Sequence, residues 1–304
     1  MLVPVLRAAA EQYPDTAFTM LSQRRFADLF ADMPCNVTFH GADLKQQSLH
    51  EIVSGLGAYD GVADTHSVLR SLYVRAAMWC KGARVAVIDK GRRDKRLLTQ
   101  GKLRTPLKHT TERYLEVFSR LGYPVKLPAS DRTIQSPTPL SGIGIAPFAA
   151  HQGKIYPLDR MERVVALLSA QGEHIVLFGG GKKEQEVLES WAEKYPGAES
   201  IAGRKTLREE LEIMRRLRVM ITMDSGNMHL ASLTGTRVVS IWGATHPYAG
   251  FLGHGQKESD CVQRDLPCRP CSIYGNKPCR FGDYRCMDIA PEVIVERVNK
   301  ETEH

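Results

Sequence analysis

The chain has 304 residues, a formal net charge of +7 and 43% hydrophobic residues. This length exceeds that of a usual single core, so we expect two domains, and no apolar run approaches the roughly 20 residues that cross a bilayer. The first residues lack the charged start, apolar stretch and cleavage site of a signal peptide, which predicts residence in the cytoplasm.

Strands and helices alternate through the first half of the chain. The first helix has Pro4 in its first turn and ends near Gln12. Short apolar runs then predict strands, and longer amphipathic runs predict helices. The predicted strands are 17–21, 37–40, 61–63 and 84–88, and the predicted helices are 24–30, 48–56, 68–81 and 110–121. This alternation is typical of a parallel α/β sheet.

The alternation restarts after a polar, proline-containing stretch at 127–140, which we interpret as a linker between domains 1–140 and 141–304. The strands predicted in the second domain are 144–147, 174–178, 199–201, 219–223 and 237–242. The helices predicted there are 158–170, 182–194, 207–217, a segment that Gly235 ends, and 291–299. The sequence therefore predicts an α/β protein with two doubly wound parts.

The turn after the strand at 219–223 is the most informative segment. Asp224 and Ser225 offer a helix N-cap, and Gly226 leaves room for a ligand to approach. The following helix directs unpaired N–H groups and its positive dipole end at this point, which favours a phosphate. His229 lies one turn into the helix. The alternative is an ordinary cap and a core histidine.

Ligands of such sheets bind beyond the carboxyl ends of the strands. This rule gathers the loops 148–154, 179–182, 203–206, 224–229 and 243–246 at one edge. Lys154 in the first loop would neutralise a diphosphate that the helix after Gly226 also faces. The glycine-rich loop at 179–182 matches neither common nucleotide-binding fingerprint, so a simple strand-to-helix turn is an equal alternative.

Two further features of the sequence call for interpretation. Cys268, Cys271, Cys279 and Cys286 would hold a structural zinc, form two disulfides, or remain reduced thiols in a packed loop at 261–287. We place Cys35 and Cys80 in the core. Positive charge is concentrated between Lys81 and Lys108, which indicates an anionic partner or a solvated face. Nucleic acid is disfavoured because no aromatic residues are interleaved there.

Taken in order, the motifs of the second half resemble the bacterial heptosyltransferases of glycosyltransferase family 9. The segments that carry this resemblance are Ala146-Pro147-Phe148 with Lys154-Ile155-Tyr156-Pro157, Phe178-Gly179-Gly180, Gly203-Arg204-Lys205-Thr206-Leu207, Asp224-Ser225-Gly226-x-x-His229-Leu230-Ala231, Gly243-x-Thr245-x-Pro247, and the cysteine segment with Pro291-Glu292-Val293-Ile294.

The resemblance implies two Rossmann-like lobes in the GT-B arrangement, with a cleft between them. It implies an inverting transfer of heptose from an ADP-sugar to a saccharide of the lipopolysaccharide core that is lipid-linked and acidic or phosphorylated. It also implies that no cofactor is required and that the protein makes peripheral contact with the inner membrane at its cytoplasmic face. The donor-binding residues would be Lys154, Gly179, Gly180, Lys205, Thr206, Asp224, Ser225, Gly226, His229 and Thr245. The acceptor-binding residues would be Lys90, Arg92 and Arg93.

The sequence departs from the family pattern at its start. Members begin with a strand and a Gly-Asp turn whose Asp is the expected base, and these would precede Met1. We expect a start that lies further upstream, because the rest of the donor site is chemically complete. Asp64 and His66, which follow the predicted strand at 61–63, are more typical of structural loop residues than of a substitute base. The alternatives are a catalytically silent protein that binds a sugar nucleotide or glycolipid, and another two-lobed sugar-nucleotide enzyme such as an epimerase.

Overall fold

A computed structural model describes residues 1–128 and 141–300. The chain divides into two compact units. Unit 1 comprises Met1–Gly91 and Lys108–Ala129, and unit 2 comprises Arg92–Leu107 and Ser130–His304. The domain boundary predicted at residue 140, and most of the predicted linker, lie outside the described residues.

The described residues contain ten strands and ten α-helices, and every paired strand runs parallel to its neighbour. The strands are β1 Phe18–Gln23, β2 Val37–Ala42, β3 Gly61–Asp64, β4 Arg84–Val87, β5 Ile143–Ala146, β6 Ile175–Leu177, β7 Ala198–Ser200, β8 Val219–Met223, β9 Arg237–Trp242 and β10 Cys261–Gln263. The helices are α1 Leu2–Gln12, α2 Leu49–Ser54, α3 Leu69–Cys80, α4 Arg92–Thr99, α5 Thr110–Arg120, α6 Leu158–Ala170, α7 Lys182–Lys194, α8 Leu207–Arg216, α9 Gly226–Leu233 and α10 Pro291–Asn299.

Unit 2 is built on a six-stranded sheet with the order β10-β9-β8-β5-β6-β7. When the six strands are renumbered 1 to 6 in chain order, the sheet read from the β7 edge has the order 3-2-1-4-5-6, which is the doubly wound order. The switch point, where the strand order changes direction, lies between β5 and β8. Every residue of these two strands is buried, as expected of a parallel sheet covered on both faces. The α/β fold class inferred from the sequence is confirmed.

The apolar face of α6 explains why this helix forms and where it packs. Met161, Val165 and Leu168 recur at helical spacing, and each has 0% of its surface exposed. They join the strand residues Ile143 and Ile221 in one core cluster. Complete burial of each such side chain stabilises the fold by about 1.5–3 kcal/mol, so this face anchors the sheet on which the candidate site stands.

Unit 1 contains two separate two-stranded sheets, β1 with β2 and β3 with β4. Its principal core cluster is formed by α1, α5 and the flanking strands, with Val5 and Ala9 fully buried. The strands are less covered than those of unit 2, since most residues of β1 and β2 are only half-buried.

Several elements differ from the sequence-based prediction. The segment 24–30 forms a 3-10 helix, and β10 and α4 were not predicted. Helix α4 is part of unit 2, where the Lys95 ammonium lies 4.3 Å from the centre of the Phe251 ring. The placement of Cys35 and Cys80 in the core was wrong, because both side chains are exposed.

Across residues 1–128 and 141–300, no helix combines the length and the apolar content that are needed to span a bilayer.

Candidate functional site

The centre of the candidate site is an ion pair at the switch point of the unit 2 sheet. Lys154 closes a 3-10 helix in the loop after β5, and Asp224 directly follows β8. The Lys154 Nζ atom lies 2.8 Å from Asp224 Oδ2, and the two side chains are 15% and 5% exposed. The fold therefore places a cation and a carboxylate in the crevice where doubly wound sheets bind ligands.

The loop that carries Lys154 is held by close backbone contacts. Ala244, just after β9, donates a hydrogen bond of 2.8 Å to the carbonyl of Gly153. Gly275 packs directly on the Lys154 side chain, because a Cβ atom added to this glycine would lie 2.6 Å from Lys154 Cγ. The lysine is thus positioned by contacts from the loop after β9 and from the cysteine-rich segment.

Helix α9 presents its N-terminus at the same edge. Ser225 occupies the N-cap position, but its side chain makes no capping hydrogen bond, contrary to the predicted cap, and its Oγ lies 3.2 Å from Thr222 Oγ1. A Cβ added to Gly226 would meet no atom within 4 Å. The uncapped N–H groups of the first turn therefore lie beside open space, an arrangement that favours an anion.

Two buried hydroxyl oxygens at this edge lack a hydrogen-bond partner in the part of the chain that the structure describes. They are Ser200 Oγ at the end of β7 and Thr245 Oγ1 after β9. Buried polar groups are rarely left unsatisfied, because each such loss costs about 1–3 kcal/mol. Their grouping at the carboxyl ends of the strands indicates a site for a polar ligand.

A buried arginine fixes the loop after β9. The Arg269 guanidinium donates to the carbonyl oxygens of Gly243, Trp242 and Thr245, at 2.5, 3.1 and 2.9 Å. It also donates to the carbonyl of Arg264. Burial lowers the pKa of Arg269, although arginine keeps its charge in proteins. The Arg269 guanidinium thus donates hydrogen bonds mainly to backbone carbonyl groups, and these bonds set the position of Thr245.

His246 lies beside that loop in a neutral state. Its Nδ1 accepts a hydrogen bond of 3.1 Å from the N–H of Tyr248. Burial, followed by the nearby positive charge of Arg269, lowers the pKa of His246 to about 4. The ring therefore acts as a neutral cap for the 3-10 turn Pro247–Ala249 at neutral pH.

The other predicted donor residues have protein partners of their own. Glu184 Oε2 accepts a hydrogen bond of 2.8 Å from the N–H of Gly180, and this carboxylate also lies near Gly179. Thr206 forms a capping box with Glu209, whose carboxylate is 3.4 Å from Lys205 Nζ. His229 is half-buried on the first turn of α9. Of the predicted donor residues, Lys154 and Asp224 are in direct contact, and Ser225 and Gly226 follow Asp224 in the chain.

The predicted acceptor residues are on or beside α4. Arg92 and Arg93 are exposed in its first turn, and Lys90 Nζ donates to the carbonyl of Ser67 at 3.2 Å. Asp64, weighed above as a substitute base, is 5% exposed and accepts hydrogen bonds from His66, Ser67, Ser71 and Arg75. These bonds give Asp64 a structural role at the end of β3.

The four late cysteines line a common small cavity, and none of them forms a disulfide. Burial raises the pKa of Cys271 and that of Cys286, the latter to about 11. Within residues 1–128 and 141–300, no group of three or more His, Cys, Asp or Glu side chains is arranged to hold a metal ion. The structure thus brings the four predicted cysteines to one cavity, and the zinc and reduced-thiol interpretations both stay predictions.

Sequence reasoning missed three residues of the site. Gly275 and Arg269 act through contacts with segments far away in sequence, and no local pattern predicts such contacts. Ser200 is recognisable only from its position at the end of β7.

Known proteins that resemble this chain include members of the family that its sequence motifs indicate. The model of glycosyltransferase family 9 (heptosyltransferase) matches residues 55–282. The lipooligosaccharide heptosyltransferase 2 of Campylobacter jejuni is 28% identical over 141 residues, which are 45% of this chain and 43% of that protein. The chain thus matches less than half the length of this curated relative.

Two solved structures are similar over nearly the whole chain. The E. coli heptosyltransferase WaaC with ADP-2-deoxy-2-fluoro heptose has a TM-score of 0.67 at 18% identity, covering 97% of this chain and 94% of that one. The glycosyl transferase family 9 structure from Veillonella parvula DSM 2008 has a TM-score of 0.70 at 17% identity, with coverages of 97% and 91%. At these identities the likeness shows a shared fold.

Proposed function

The chain belongs to glycosyltransferase family 9, and from this premise we propose that it transfers a heptose from ADP-heptose to a saccharide of the lipopolysaccharide core, with inversion at the transferred carbon. The observation that carries the proposal is the buried pair of Lys154 and Asp224 beside the uncapped N-terminus of α9. A nucleoside diphosphate sugar offers both an anion for the cationic part and hydroxyl groups for the carboxylate.

The cationic part of the site suits the leaving group. As the bond from the sugar C1 to the diphosphate oxygen breaks, its electron pair and the growing negative charge move onto ADP. The Lys154 ammonium and the N–H groups that begin at Gly226 would stabilise this charge more in the transition state than in the ground state. Asp224 would keep the ammonium oriented and accept a hydrogen bond from a sugar hydroxyl.

The buried hydroxyls complete the donor site in this proposal. Thr245 Oγ1 and Ser200 Oγ, which lack partners in the described parts of the chain, would bind polar atoms of the donor. Ser225, His229, Lys205, Thr206, Gly179 and Gly180 remain proposed donor residues on the strength of the family resemblance. The last four would have to share or exchange their present contacts with Glu184 and Glu209.

The second half of the reaction concerns the acceptor. Its hydroxyl oxygen would bond to C1 while its proton passes to a base, so that the products are ADP, a proton and the extended saccharide. Arg92 and Arg93 lie with Asp94 in the first turn of α4, at the positive end of the helix dipole, where a bound anion is stabilised. We therefore propose that these residues and Lys90 bind phosphate or carboxylate groups of a lipid-linked acceptor, at the cytoplasmic face of the inner membrane.

The proposal is tested with ADP-heptose, a panel of heptose-deficient lipopolysaccharide core acceptors, and two purified proteins: this chain and a version that begins at the upstream start expected from the sequence. We expect mass spectrometry to detect acceptors extended by one heptose, together with an equal amount of ADP, for the extended version, and the Lys154→Ala substitution to abolish this product. Binding of ADP-heptose by the extended version with no product on any acceptor would contradict the transferase proposal and favour the silent binding protein. Interconversion of free ADP-heptose without an acceptor would favour an epimerase.

A further inference from the structure

Helix α3 of unit 1 carries its largest apolar side chains on the side that faces solvent. Leu69 and Trp79 are 85% and 69% exposed, and Leu72 and Tyr73 lie between them on the same face. The positions 69, 72, 73, 76, 79 and 80 follow helical spacing, and all six residues are exposed and uncharged. We call these six residues the α3 stripe. The opposite side packs inward through Met78.

Such a stripe is not a random scatter of exposed apolar residues. Single apolar side chains on a surface need no explanation, but a contiguous apolar face marks an interaction site. The stripe spans slightly more than three helical turns, and its exposure is the reverse of the pattern that stabilises an ordinary surface helix. Something apolar should therefore cover it while the protein functions.

The charges around the stripe indicate the nature of that surface. Helix α3 contains Arg70 and Arg75 and no acidic residue, and Lys81 follows at its C-terminal end. Arg75 pairs with Asp64 within the unit, whereas Arg70 is exposed. The helix therefore presents apolar residues flanked by positive charge, the composition of helices that lie on anionic membranes.

A polar cavity continues the stripe at its C-terminal end. This cavity has a volume of about 470 Å³ and is lined by Lys81, Arg84, Asp60, Tyr59, Ala58 and Gly82. Two cations against one carboxylate leave it net positive, and it begins two residues after Trp79. The charge of this cavity suits an anionic group.

We propose that the α3 stripe docks unit 1 on a bilayer that contains anionic phospholipids, with α3 lying in the membrane interface. Trp79 and Tyr73 occupy the headgroup level that aromatic residues prefer, Leu69 and Leu72 reach the acyl boundary, and Lys81 and Arg84 contact lipid phosphates. The inference goes beyond the proposed transfer reaction, and its test needs neither donor nor acceptor. The two proposals therefore succeed or fail separately.

Tryptophan fluorescence offers a direct test, because Trp191 and Trp242 are buried and Trp79 is the exposed tryptophan. Vesicles of phosphatidylglycerol with phosphatidylethanolamine should shift the emission to shorter wavelength, and brominated lipids should quench it. Vesicles of phosphatidylcholine alone should produce a much smaller change. No shift and no sedimentation of the chain with the anionic vesicles would overturn the proposal.

Variants of the chain test whether the α3 stripe binds a bilayer or another partner. The double variant Leu69→Ser with Leu72→Ser should sediment with anionic vesicles at least about tenfold less well, because each leucine loses a large burial gain. Val293→Ser, which removes an exposed apolar side chain from α10, is the matched control and should bind as the parent chain does. Lys81→Gln with Arg84→Gln should weaken binding and reduce its dependence on salt.

The thermal midpoint of each variant shows whether it folds, and we expect little change because the substituted side chains are exposed. If sedimentation velocity shows a dimer that the leucine variant disperses, while vesicle binding is unchanged, the stripe is an interface between two copies. That outcome would overturn the membrane proposal.

Discussion

The Lys154 ammonium lies 2.8 Å from the Asp224 carboxylate, although the two residues are 70 positions apart and belong to loops after different strands. Both side chains are largely buried, and removing two charges from water costs several kcal/mol per ion before their attraction is counted. Such a pair adds little net stability to a fold. Its position at the switch point of the sheet instead fits a role in binding a charged ligand.

The first prediction concerns this pair. We expect Lys154→Ala and Asp224→Ala each to weaken ADP-heptose binding or turnover by at least about tenfold, or about 1.4 kcal/mol. The first variant removes the cation that faces the diphosphate, and the second removes the group that orients it. Isothermal titration calorimetry and initial rates measure the two effects.

Lys194→Ala is the control for the pair, because this lysine is exposed at the last residue of α7 and belongs to none of the loops at the candidate site. It should leave both the affinity and the rate close to those of the parent chain. Unchanged affinity and unchanged turnover in both members of the pair would remove Lys154 and Asp224 from the donor site.

The second prediction uses the open space above Gly226. A leucine at this position meets no protein atom within 4 Å at its Cβ, so Gly226→Leu should fold with a thermal midpoint close to that of the parent chain. The same side chain would occupy the space through which a diphosphate reaches the helix N-terminus. We therefore expect at least about tenfold weaker binding of ADP.

Gly57→Leu provides a matched control, since a Cβ there also meets nothing within 4 Å and the position is in unit 1. It should bind ADP normally. If Gly226→Leu also bound ADP as tightly as the parent chain, the N-terminus of α9 would not be the diphosphate site.

The sequence predicted the architecture well where side-chain periodicity carries the information. The spacing of Met161, Val165 and Leu168 defined α6 to the residue, and the apolar run at 219–223 defined β8. Helix α4 was not predicted, because its first residues are charged and Lys95 and Leu98 are its only buried residues. Local periodicity cannot reveal a helix whose stability comes from contacts with distant segments.

The same limit applies to the candidate site. The turn at 224–226 was predictable, because a strand, a turn and a helix follow one another directly in sequence. The contact of Gly275 with Lys154 joins residues 121 positions apart, and no motif in the cysteine-rich segment indicates it. Buried Arg269 likewise bonds to the loop after β9, whereas sequence statistics place arginine on the surface.

The third prediction follows from that glycine contact. Gly275 has a φ of +73°, and a Cβ there would lie 2.6 Å from Lys154 Cγ, so Gly275→Ala must displace the lysine stem. We expect the affinity for ADP to fall at least about threefold, although we place Gly275 outside contact with the donor. Calorimetry with ADP provides the measurement.

Gly282→Ala separates displacement of the lysine from backbone strain. Gly282 lies in the same segment with a φ of +77°, but a Cβ there meets no atom within 4 Å. Both alanine variants should lose about 1 kcal/mol of stability from the strained φ. Only Gly275→Ala should lose affinity, and equal affinities in the two variants would show that Gly275 does not position Lys154.

The fourth prediction concerns the buried arginine. Replacing Arg269 by lysine keeps the charge but removes the planar donors that bind Gly243, Trp242 and Thr245 together. Several buried carbonyl groups then lose their partners, at about 1–3 kcal/mol for each group left unsatisfied. We expect Arg269→Lys to lower the free energy of unfolding by at least about 2 kcal/mol in urea titrations. A loss below about 0.5 kcal/mol would show that water replaces these bonds.

The fifth prediction is a dependence of stability on pH that arises from His246. The pKa of this ring is about 4 in the folded chain, lowered first by burial and then by Arg269, against 6.5 for an ordinary histidine. Between these two values the unfolded chain binds a proton that the folded chain does not, so stability falls as the pH is lowered. The full shift would correspond to about 3 kcal/mol, and solvent screening of this partly exposed ring reduces it to about 1–2 kcal/mol.

The variant His246→Gln isolates this contribution, because glutamine does not titrate and its carbonyl oxygen can still accept the hydrogen bond from Tyr248. Urea unfolding at pH 7, 5.5 and 4.5 should show the parent chain losing stability faster than the variant as the pH falls. The difference between the two chains should cease to grow below pH 4, where His246 is protonated in both states. Parallel stability curves for the two chains would mean that His246 is not buried as a neutral ring, and that the turn Pro247–Ala249 is held by other contacts.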